Sequence, residues 1–377
     1  MVTVREGSHV HQLLQLLSVA GEFPASSLHL LGKEDVFKAL VHRLESVQDI
    51  RFTREGEAYR TKVLQVNGYR EMRTVKLYSG VLPLLDKVQP EALAYYMNAF
   101  QQHRFSGNIY HVGRNHRVGE AIAMAMMAGL EFRPYVLPRL QKKAISQVVL
   151  PKPSFYVARD FKDNDYDEMD KYVYTRIVGA VFYPGGCYAV YNTRGAVMKW
   201  SGNGERKARS YLLELGRYNA GLRDADSALL LGNTPDWALQ TILESDKSPT
   251  RRNGFNSVYQ HIHYLPLDAN GIHLLWLLTL PDWKEKVLNA LFESEARLQQ
   301  GYGFMDYDAA INGTYTLSHL DADLARLIKF REGIQKHTDK RFMVVCYPWQ
   351  RDFLRAYLGE HVKLKIISME ELQNAIE

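Results

Sequence analysis

One short motif in the sequence has the residue types of a metal-dependent nuclease. Asp160-Phe161-Lys162 follows a predicted strand over residues 154–158. In such enzymes carboxylates hold Mg²⁺, and a nearby lysine orients the attacking water. The strand expected to supply the second carboxylate, over residues 187–192, contains none. Asp160 and Lys162 are therefore catalytic candidates only if another carboxylate joins them, and an exposed acidic loop is the simpler interpretation of this segment.

Two glutamates are candidates for that missing carboxylate. Glu205 lies at the predicted start of a helix, near Lys199 and Lys207, and Glu120 lies within a helix predicted over residues 116–128. The pattern around Glu205 favours an ordinary solvated helix start. Glu120 alone is a poor site for Mg²⁺, which needs several oxygen ligands. We therefore expect no metal and no cofactor, with Mg²⁺ required only if the chain is a nuclease.

Other catalytic patterns are missing from the sequence. His261 and His263 alternate along a predicted strand and so face one side, but no carboxylate or cysteine accompanies them as a metal ligand would. We interpret them as core or surface histidines. Cys187 and Cys346 lie far apart in apolar runs, which predicts buried thiols.

The distribution of charge points to nucleic acid. The net charge of +5 is mild, but residues 50–76 carry a net +4 and residues 101–162 a net +7, so the rest of the chain is net negative. Clustered lysine and arginine are the footprint of phosphate binding. The residues predicted to contact DNA are Lys38, His42, Arg43, Arg51, Arg54, Arg60, Lys62, Arg70, Arg73, Lys76, Arg114, Arg117, Lys142 and Lys143.

The first of these basic windows belongs to a predicted winged helix-turn-helix over residues 1–80. Short helices are predicted over residues 9–20, 24–31 and 33–47, followed by extended segments over residues 50–52, 58–66 and 71–77. Asn67-Gly68 is a strong hairpin signal before the last of them. A strand-turn-strand ribbon after the three helices distinguishes a winged helix from a bare helix-turn-helix.

The front of the third predicted helix does not suit DNA. Glu34 and Asp35 lie in its first turn, where a recognition helix presents residues to the bases. Acidic side chains there repel phosphate, although they favour the helix N-terminus. We therefore expect contacts further along this helix and in the wing, and a winged helix that docks a protein partner stays an alternative.

The rest of the chain is predicted to form a mixed-sheet α/β domain, which makes the whole chain α/β (α+β overall). Residues 81–145 are expected to be a helical connector, with a strand over residues 130–137, and residues 146–377 the α/β domain. Its predicted strands cover residues 154–158, 177–183, 187–192, 196–199, 227–231, 272–278 and 341–347. Its predicted helices cover residues 204–218, 235–244, 282–299, 319–336 and 349–358.

The segment Arg114-Asn115-His116-Arg117-Val118-Gly119-Glu120-Ala121-Ile122-Ala123-Met124, ending in Ala128-Gly129-Leu130-Glu131, resembles part of the replication-relaxation protein family. The resemblance extends back through the predicted winged helix and forward to residue 192. Family members occur on plasmids and integrative conjugative elements, chiefly of Gram-positive bacteria. The resemblance implies a winged helix followed by a restriction-endonuclease-like domain.

The resemblance fails where catalysis would lie. Family members often carry Pro-Asp where this chain has Lys152-Pro153-Ser154, and the later acidic motif falls at Val190-Tyr191-Asn192. Loss of both carboxylates implies a pseudonuclease scaffold that is kept for binding.

We therefore expect a cytoplasmic DNA-binding accessory or regulatory protein that acts in replication or transfer without catalysis of its own. A metal-dependent nuclease and a protein-interaction module are the alternatives. The expected partners are double-stranded DNA, relaxosome or replication proteins, and a second copy of the chain, because winged helices often bind paired half-sites as dimers. No membrane is expected, since His273 interrupts the longest apolar run.

Overall fold

The residues that the structure describes form helices and four sheets, which confirms the predicted α/β class (α+β overall). The computed structural model describes residues 1–52, 58–88, 90–138, 152–162, 176–199, 202–220, 222, 225–247, 255–297 and 305–376. Within these ranges, no helix has both the length and the apolar character needed to cross a membrane.

The N-terminal part combines two helices and a 3₁₀ helix with two three-stranded sheets, ordered β1-β3-β4 and β2-β6-β5. α1 begins where the Ser8 side chain accepts a hydrogen bond from the His11 amide, and its predicted apolar face is buried. The elements are β1 (Val2–Thr3), α1 (His9–Ala20), β2 (Glu22–Pro24), the 3₁₀ helix Ala25–Leu31, α2 (Glu34–Leu44), β3 (Gln48–Arg51), β4 (Tyr59–Thr61), β5 (Leu64–Asn67) and β6 (Thr74–Leu77).

Several of the predicted boundaries in this part are wrong. The third predicted helix ends at Leu44 rather than at residue 47, and Pro24 lies in strand β2 rather than in a helix. The single strand predicted over residues 58–66 is two strands, because the Val63 amide donates to the Leu44 carbonyl and takes the chain out of the first sheet. The last strand begins at Thr74, since a 3₁₀ turn over Arg70–Met72 precedes it. The β5–β6 hairpin closes through Gly68, whose φ of +82° suits glycine. The winged-helix assignment itself stays a prediction.

Three helices follow: α3 (Leu82–Val88), α4 (Pro90–Ala99) and α5 (Ile109–Met127). α5 starts seven residues earlier than predicted, because the Asn108 side chain accepts a hydrogen bond from the Tyr110 amide and caps the helix. α5 packs on α1 and β2. Gly119 permits this packing, since a Cβ atom there would lie 2.9 Å from the Glu22 carbonyl oxygen.

A five-stranded sheet lies on the other side of α5, which contacts its strands β7 and β9. Its order is β11-β10-β9-β8-β7, with an antiparallel meander over the first three strands in sequence and parallel pairing of β9 with β10 and of β10 with β11. The elements are β7 (Ser154–Val157), α6 (Ala158–Lys162), β8 (Gly179–Tyr183), β9 (Gly186–Arg194), α7 (Asn203–Ala220), β10 (Ser227–Gly232), α8 (Pro235–Lys247), α9 (Phe255–Val258) and β11 (His261–Pro266).

A four-stranded sheet ends the chain, ordered β12-β13-β14-β15, with the last three strands parallel. Its elements and the two helices before it are α10 (Ala269–Leu278), α11 (Trp283–Leu291), β12 (Ala309–Ile311), β13 (Thr314–Ser318), α12 (Leu324–Lys336), β14 (Arg341–Cys346), α13 (Arg351–Leu358), β15 (Lys363–Ile366) and α14 (Met369–Ile376).

Three predicted strands are wrong. Residues 272–278 form helix α10, because the helix is buried on most sides and so shows no polar face that would separate it from a strand. Residues 130–137 contribute only an isolated bridge from Glu131 to Ser154. Residues 196–199 continue beyond β9 outside any strand. The helices predicted over residues 282–299 and 319–336 are shorter in the structure, where they correspond to α11 and α12.

One continuous hydrophobic core joins the N-terminal part to the five-stranded sheet. It includes Leu13 of α1, Ala123 of α5 and Val190 of β9. Cys187 and Cys346 are free and buried, as predicted. The domain boundaries at residues 80 and 145 stay predictions, and the second of these lies outside the described residues.

Candidate nucleic-acid interface

A cleft of about 710 Å³ lies between the start of α5 and the ends of β8 and β9. Four of its lining residues are basic: Arg114, Arg117, Arg176 and Lys199. Of the described residues that line this basic cleft, none carries a carboxylate. Arg114 and Arg117 were predicted to contact DNA, and the structure brings them together with two further cations.

The α5 helix arranges one wall of the basic cleft. Tyr110, Arg114 and Arg117 are spaced by four and three residues, so they lie on one face of the helix. The opposite wall comes from residues just before β8 and just after β9, where the Arg176 Nε donates to the Lys199 carbonyl at 3.1 Å. Because three separate segments supply the walls, the basic cleft exists only in the folded chain.

A buried carboxylate with three protein partners lies next to Asn192, which lines the basic cleft, although the carboxylate itself is not part of the lining. Glu120, 1% exposed, accepts hydrogen bonds from Ser27 Oγ at 2.7 Å and Asn192 Nδ2 at 2.8 Å. The Arg194 Nε lies 3.0 Å from Glu120 Oε1. Since a guanidinium already meets this charge, Glu120 is held as half of an ion pair.

Arg194 occupies a backbone conformation that disfavours its side chain. Its φ is +53°, in the left-handed region, where residues other than glycine are strained by roughly 1–3 kcal/mol. The Arg194 amide donates to Asn192 Oδ1 at 2.9 Å, and the guanidinium pairs with Glu120. These two contacts hold the strained residue in place, which makes the ion pair a built feature of the site.

Positive charge in the basic cleft affects neighbouring groups. Burial, followed by the nearby Arg194, lowers the pKa of Arg117 from its usual value. Burial and the two arginines lower the pKa of His116 to about 4, so this ring is neutral at pH 7. Like charges gathered in this way are stabilised by an incoming anion.

The predicted contacts in α2 are largely engaged within the protein. Lys38 Nζ lies 2.7 Å from Glu34 Oε1, and the Arg43 Nη2 donates to the Met1 carbonyl at 2.8 Å. His42 is exposed. Glu34 and Asp35 lie in the first turn, as the sequence indicated, so α2 presents a mixed rather than a basic surface.

The β5–β6 hairpin presents the second basic surface. Arg70 and Arg73 are exposed in its turn, beside Tyr69, whose side chain is 89% exposed. Lys76 lies over the Phe105 ring at 5.0 Å from its centroid and Lys62 over the Tyr78 ring at 6.0 Å. The other predicted contacts are Arg60, which is exposed, and Arg51, which is half-buried. Arg54, Lys142 and Lys143 lie outside the described residues.

The predicted catalytic candidates have separate environments. Asp160 is half-buried in α6, where Tyr95 donates to its Oδ1 at 3.0 Å, so the expected exposed acidic loop is wrong at this residue. The side chain of Lys162 lies outside the described residues. Glu205 is fully buried and accepts the Gly202 amide at 2.8 Å, so the expected solvated helix start is also wrong.

A second polar cluster joins the two large sheets. Contrary to prediction, one histidine of β11 does have a carboxylate partner, because His261 Nδ1 lies 2.7 Å from Asp323 Oδ2. His263 Nδ1 lies 2.9 Å from the backbone carbonyl oxygen of Asp321. Arg326 belongs to the same cluster, with its Nη2 at 2.8 Å from Asp308 Oδ1. We call this cluster the polar junction; its members are His261, His263, Asp308, Asp321, Asp323 and Arg326. Sequence reasoning missed the pairing because about sixty residues separate the partners.

The polar junction has the residue types of a metal site. Ligand atoms of His263, Asp321 and Asp323 lie within 4.8 Å of one another. Asp323 already accepts the amides of Ala325 and Arg326 as the cap of α12, and Asp321 accepts the Asp323 amide at 3.1 Å. These internal contacts account for the cluster without an ion. The hydrogen bond to Asp323 raises the pKa of His261.

Several residues of the basic cleft escaped the sequence reasoning. Arg176 lay outside both basic windows. Arg194 is the last residue of β9 and lay beyond the strand predicted over residues 187–192. Tyr110 lay outside the predicted helix. The available signal was position: Arg176 directly precedes the apolar run of β8, so it had to lie at a strand end.

No family model, no curated protein and no solved structure matched this chain in the comparisons. The replication-relaxation resemblance therefore stays a hypothesis that rests on the residues quoted above.

Proposed function

We propose that this protein is a DNA-binding accessory or regulatory protein without catalysis of its own. The observation that carries the proposal is the basic cleft, in which four cations surround a space with no carboxylate among its described lining residues. An anion of repeated phosphates relieves the repulsion among those cations. DNA is such an anion, and we expect the protein to bind it in the cytoplasm.

The N-terminal part supports double-stranded DNA as the partner. Its helix, strand, two further helical segments and β5–β6 hairpin follow one another in the order of a winged helix-turn-helix. The hairpin presents Arg70 and Arg73 to solvent, as a wing does when it contacts the backbone. The mixed charge of α2 favours a grip on phosphates over reading of bases.

The surroundings of Glu120, next to the basic cleft, argue against hydrolysis. A divalent ion needs several oxygen ligands, yet Glu120 faces the amide of Asn192 and the guanidinium of Arg194. Arg194 supplies the positive charge that a metal would otherwise bring. The nuclease alternative would require Asp160 or Glu205, and each of these carboxylates has its own partners elsewhere.

The cellular setting follows from the family resemblance alone. We propose that the protein acts on a plasmid or integrative conjugative element, in replication or transfer, with relaxosome or replication proteins as neighbours. A homodimer on paired half-sites belongs to the same proposal.

Binding to a duplex with a single-stranded extension, measured across a salt series with Mg²⁺ or Mn²⁺ present, tests the proposal. We expect affinity to fall steeply with salt and the DNA to remain intact. An Arg117→Gln/Arg176→Gln variant should lower the salt slope by roughly 2, since each lost phosphate contact removes about 1. Arg351→Gln, which removes an exposed arginine of α13, is the matched control.

Two outcomes would contradict the proposal. Cleavage that disappears in Asp160→Ala or Glu205→Ala would establish the nuclease alternative. Absence of binding even at low salt would favour the protein-interaction alternative.

A further inference from the structure

We infer that the basic cleft binds single-stranded DNA, with an unstacked base against Tyr110, while duplex DNA contacts the β5–β6 hairpin. The inference rests on the proposed DNA-binding function and assigns a strand form to each of its two surfaces.

The shape of the basic cleft suits a nucleotide rather than a double helix. Its volume of about 710 Å³ falls in the range of pockets that enclose small ligands. Ile177, Val178 and Met198 add apolar surface to the lining. A base enters such a space only after it has left the stack of a duplex.

The mouth of the basic cleft carries the aromatic surface that single strands require. The Tyr110 side chain is 83% exposed, and its neighbour Ile109 is 60% exposed, although both are large and apolar. The Asn108 cap fixes the Tyr110 backbone amide at 2.9 Å, so the ring projects from a rigid helix start. Stacking of bases on such rings is how proteins bind single strands without reading their sequence.

The cations of the basic cleft are placed to follow the strand's backbone. Arg114 and Arg117 lie on the α5 side, and Arg176 and Lys199 on the side of the sheet. Burial is the main cause of the lowered pKa of Arg117, and repulsion from Arg194 and Arg176 lowers it further. A strand phosphate beside Arg117 would favour its charged form. Cations on both walls and an aromatic ring at the mouth form the combination seen in single-strand channels.

The β5–β6 hairpin differs in shape and provides an internal control. Tyr69 is also almost fully exposed beside arginine, but it lies at the turn of the β5–β6 hairpin and does not line the basic cleft. A two-stranded ribbon fits the backbone and grooves of a duplex. Tyr69 and Tyr110 therefore test the two surfaces with the same substitution.

Fluorescence anisotropy with two labelled probes tests the inference: an oligodeoxythymidine of about 12 nucleotides, within the usual site sizes, and a blunt duplex of the same length. Tyr110→Ala should weaken binding of the oligodeoxythymidine by about 5- to 100-fold, because stacking contributes roughly 1–3 kcal/mol per base. Binding of the duplex should change less than about twofold. Tyr110→Phe should restore single-strand binding, and Tyr69→Ala should leave it unchanged.

The outcomes distinguish failure of this inference from failure of the proposed DNA-binding function. Equal weakening of both probes by Tyr110→Ala, or no weakening of either, would overturn the inference. Binding of the duplex but not of the oligodeoxythymidine would overturn it as well and leave the proposed function standing. Binding of neither probe would overturn the proposed function itself. Thermal unfolding of Tyr110→Ala, at an exposed position, confirms that the variant is folded.

Discussion

The basic cleft and the polar junction each place a histidine among charged neighbours, but the neighbours have opposite sign. His116 lies near Arg117 and Arg194, and its pKa falls to about 4. His261 is bonded to Asp323, and its pKa rises. Burial opposes the charged form in both places. At His116 burial is the main cause of the lowered pKa and the two arginines add to it, whereas at His261 the bond to Asp323 outweighs burial.

The two regions also differ in how their charges are satisfied. In the polar junction, carboxylates meet Arg326, backbone amides and a histidine inside the protein. In the basic cleft, four cations face an open space. Internal satisfaction is typical of a structural site, and unmatched charge at a cleft is typical of a binding site. The following predictions test this distinction.

The largest effect is expected from loss of the central cation of the polar junction. Arg326→Met leaves Asp308 and Asp321 buried beside an apolar side chain, so the free energy of unfolding should fall by about 3–5 kcal/mol. Urea unfolding measures the change. Lys329→Met, at an exposed position of the same helix, is the control and should have little effect. A loss below about 1 kcal/mol for Arg326→Met would contradict a structural role.

A smaller effect is expected from acid at the basic cleft. The pKa of His116 is about 4 in the folded chain and about 6.5 when unfolded. The unfolded chain therefore binds more protons between these values, and stability falls as the pH is lowered through this window. Wild type should lose about 2 kcal/mol more than His116→Gln between pH 7 and pH 5. If the free energy of unfolding falls equally in the two proteins, groups other than His116 cause the loss of stability in acid.

The smallest effect, with the opposite sign, is expected at the polar junction. Because the folded pKa of His261 is raised, its stabilisation is complete below about pH 6.5 and is lost as the pH rises through the folded pKa. Asp323 and Asp226 favour the charged ring, and Lys284 opposes it. Unfolding of wild type and His261→Gln between pH 6 and pH 8 measures the effect. It should be smaller than that of His116, since 35% of the His261 side chain is exposed.

The amphipathic elements were the predictable part of the fold. Helix α1 and the strands β7 to β10 follow from apolar spacing and from glycine or proline at their ends. Helix α10 did not, because a short apolar run that is buried on most sides has no periodicity that distinguishes a helix from a strand.

The candidate site was predictable only in part. Arg114 and Arg117 were found from clustered charge, because they lie on one helix. Arg176 and Arg194 were not, since their proximity depends on which strand ends meet in the sheet. The pairing of His261 with Asp323 depends in the same way on the meeting of two sheets.

Helix α5 has a mechanical consequence for both proposals. At 1.5 Å per residue its 19 residues span roughly 28 Å. One end of this rod bears Tyr110, and its middle rests on β2 through Gly119, where the neighbouring backbone leaves no room for a side chain. Because β2 pairs with β6 of the hairpin, helix α5 fixes the distance between the two surfaces that we propose to bind DNA. We therefore expect the protein to bind DNA in which the paired and the unpaired parts lie at one fixed separation.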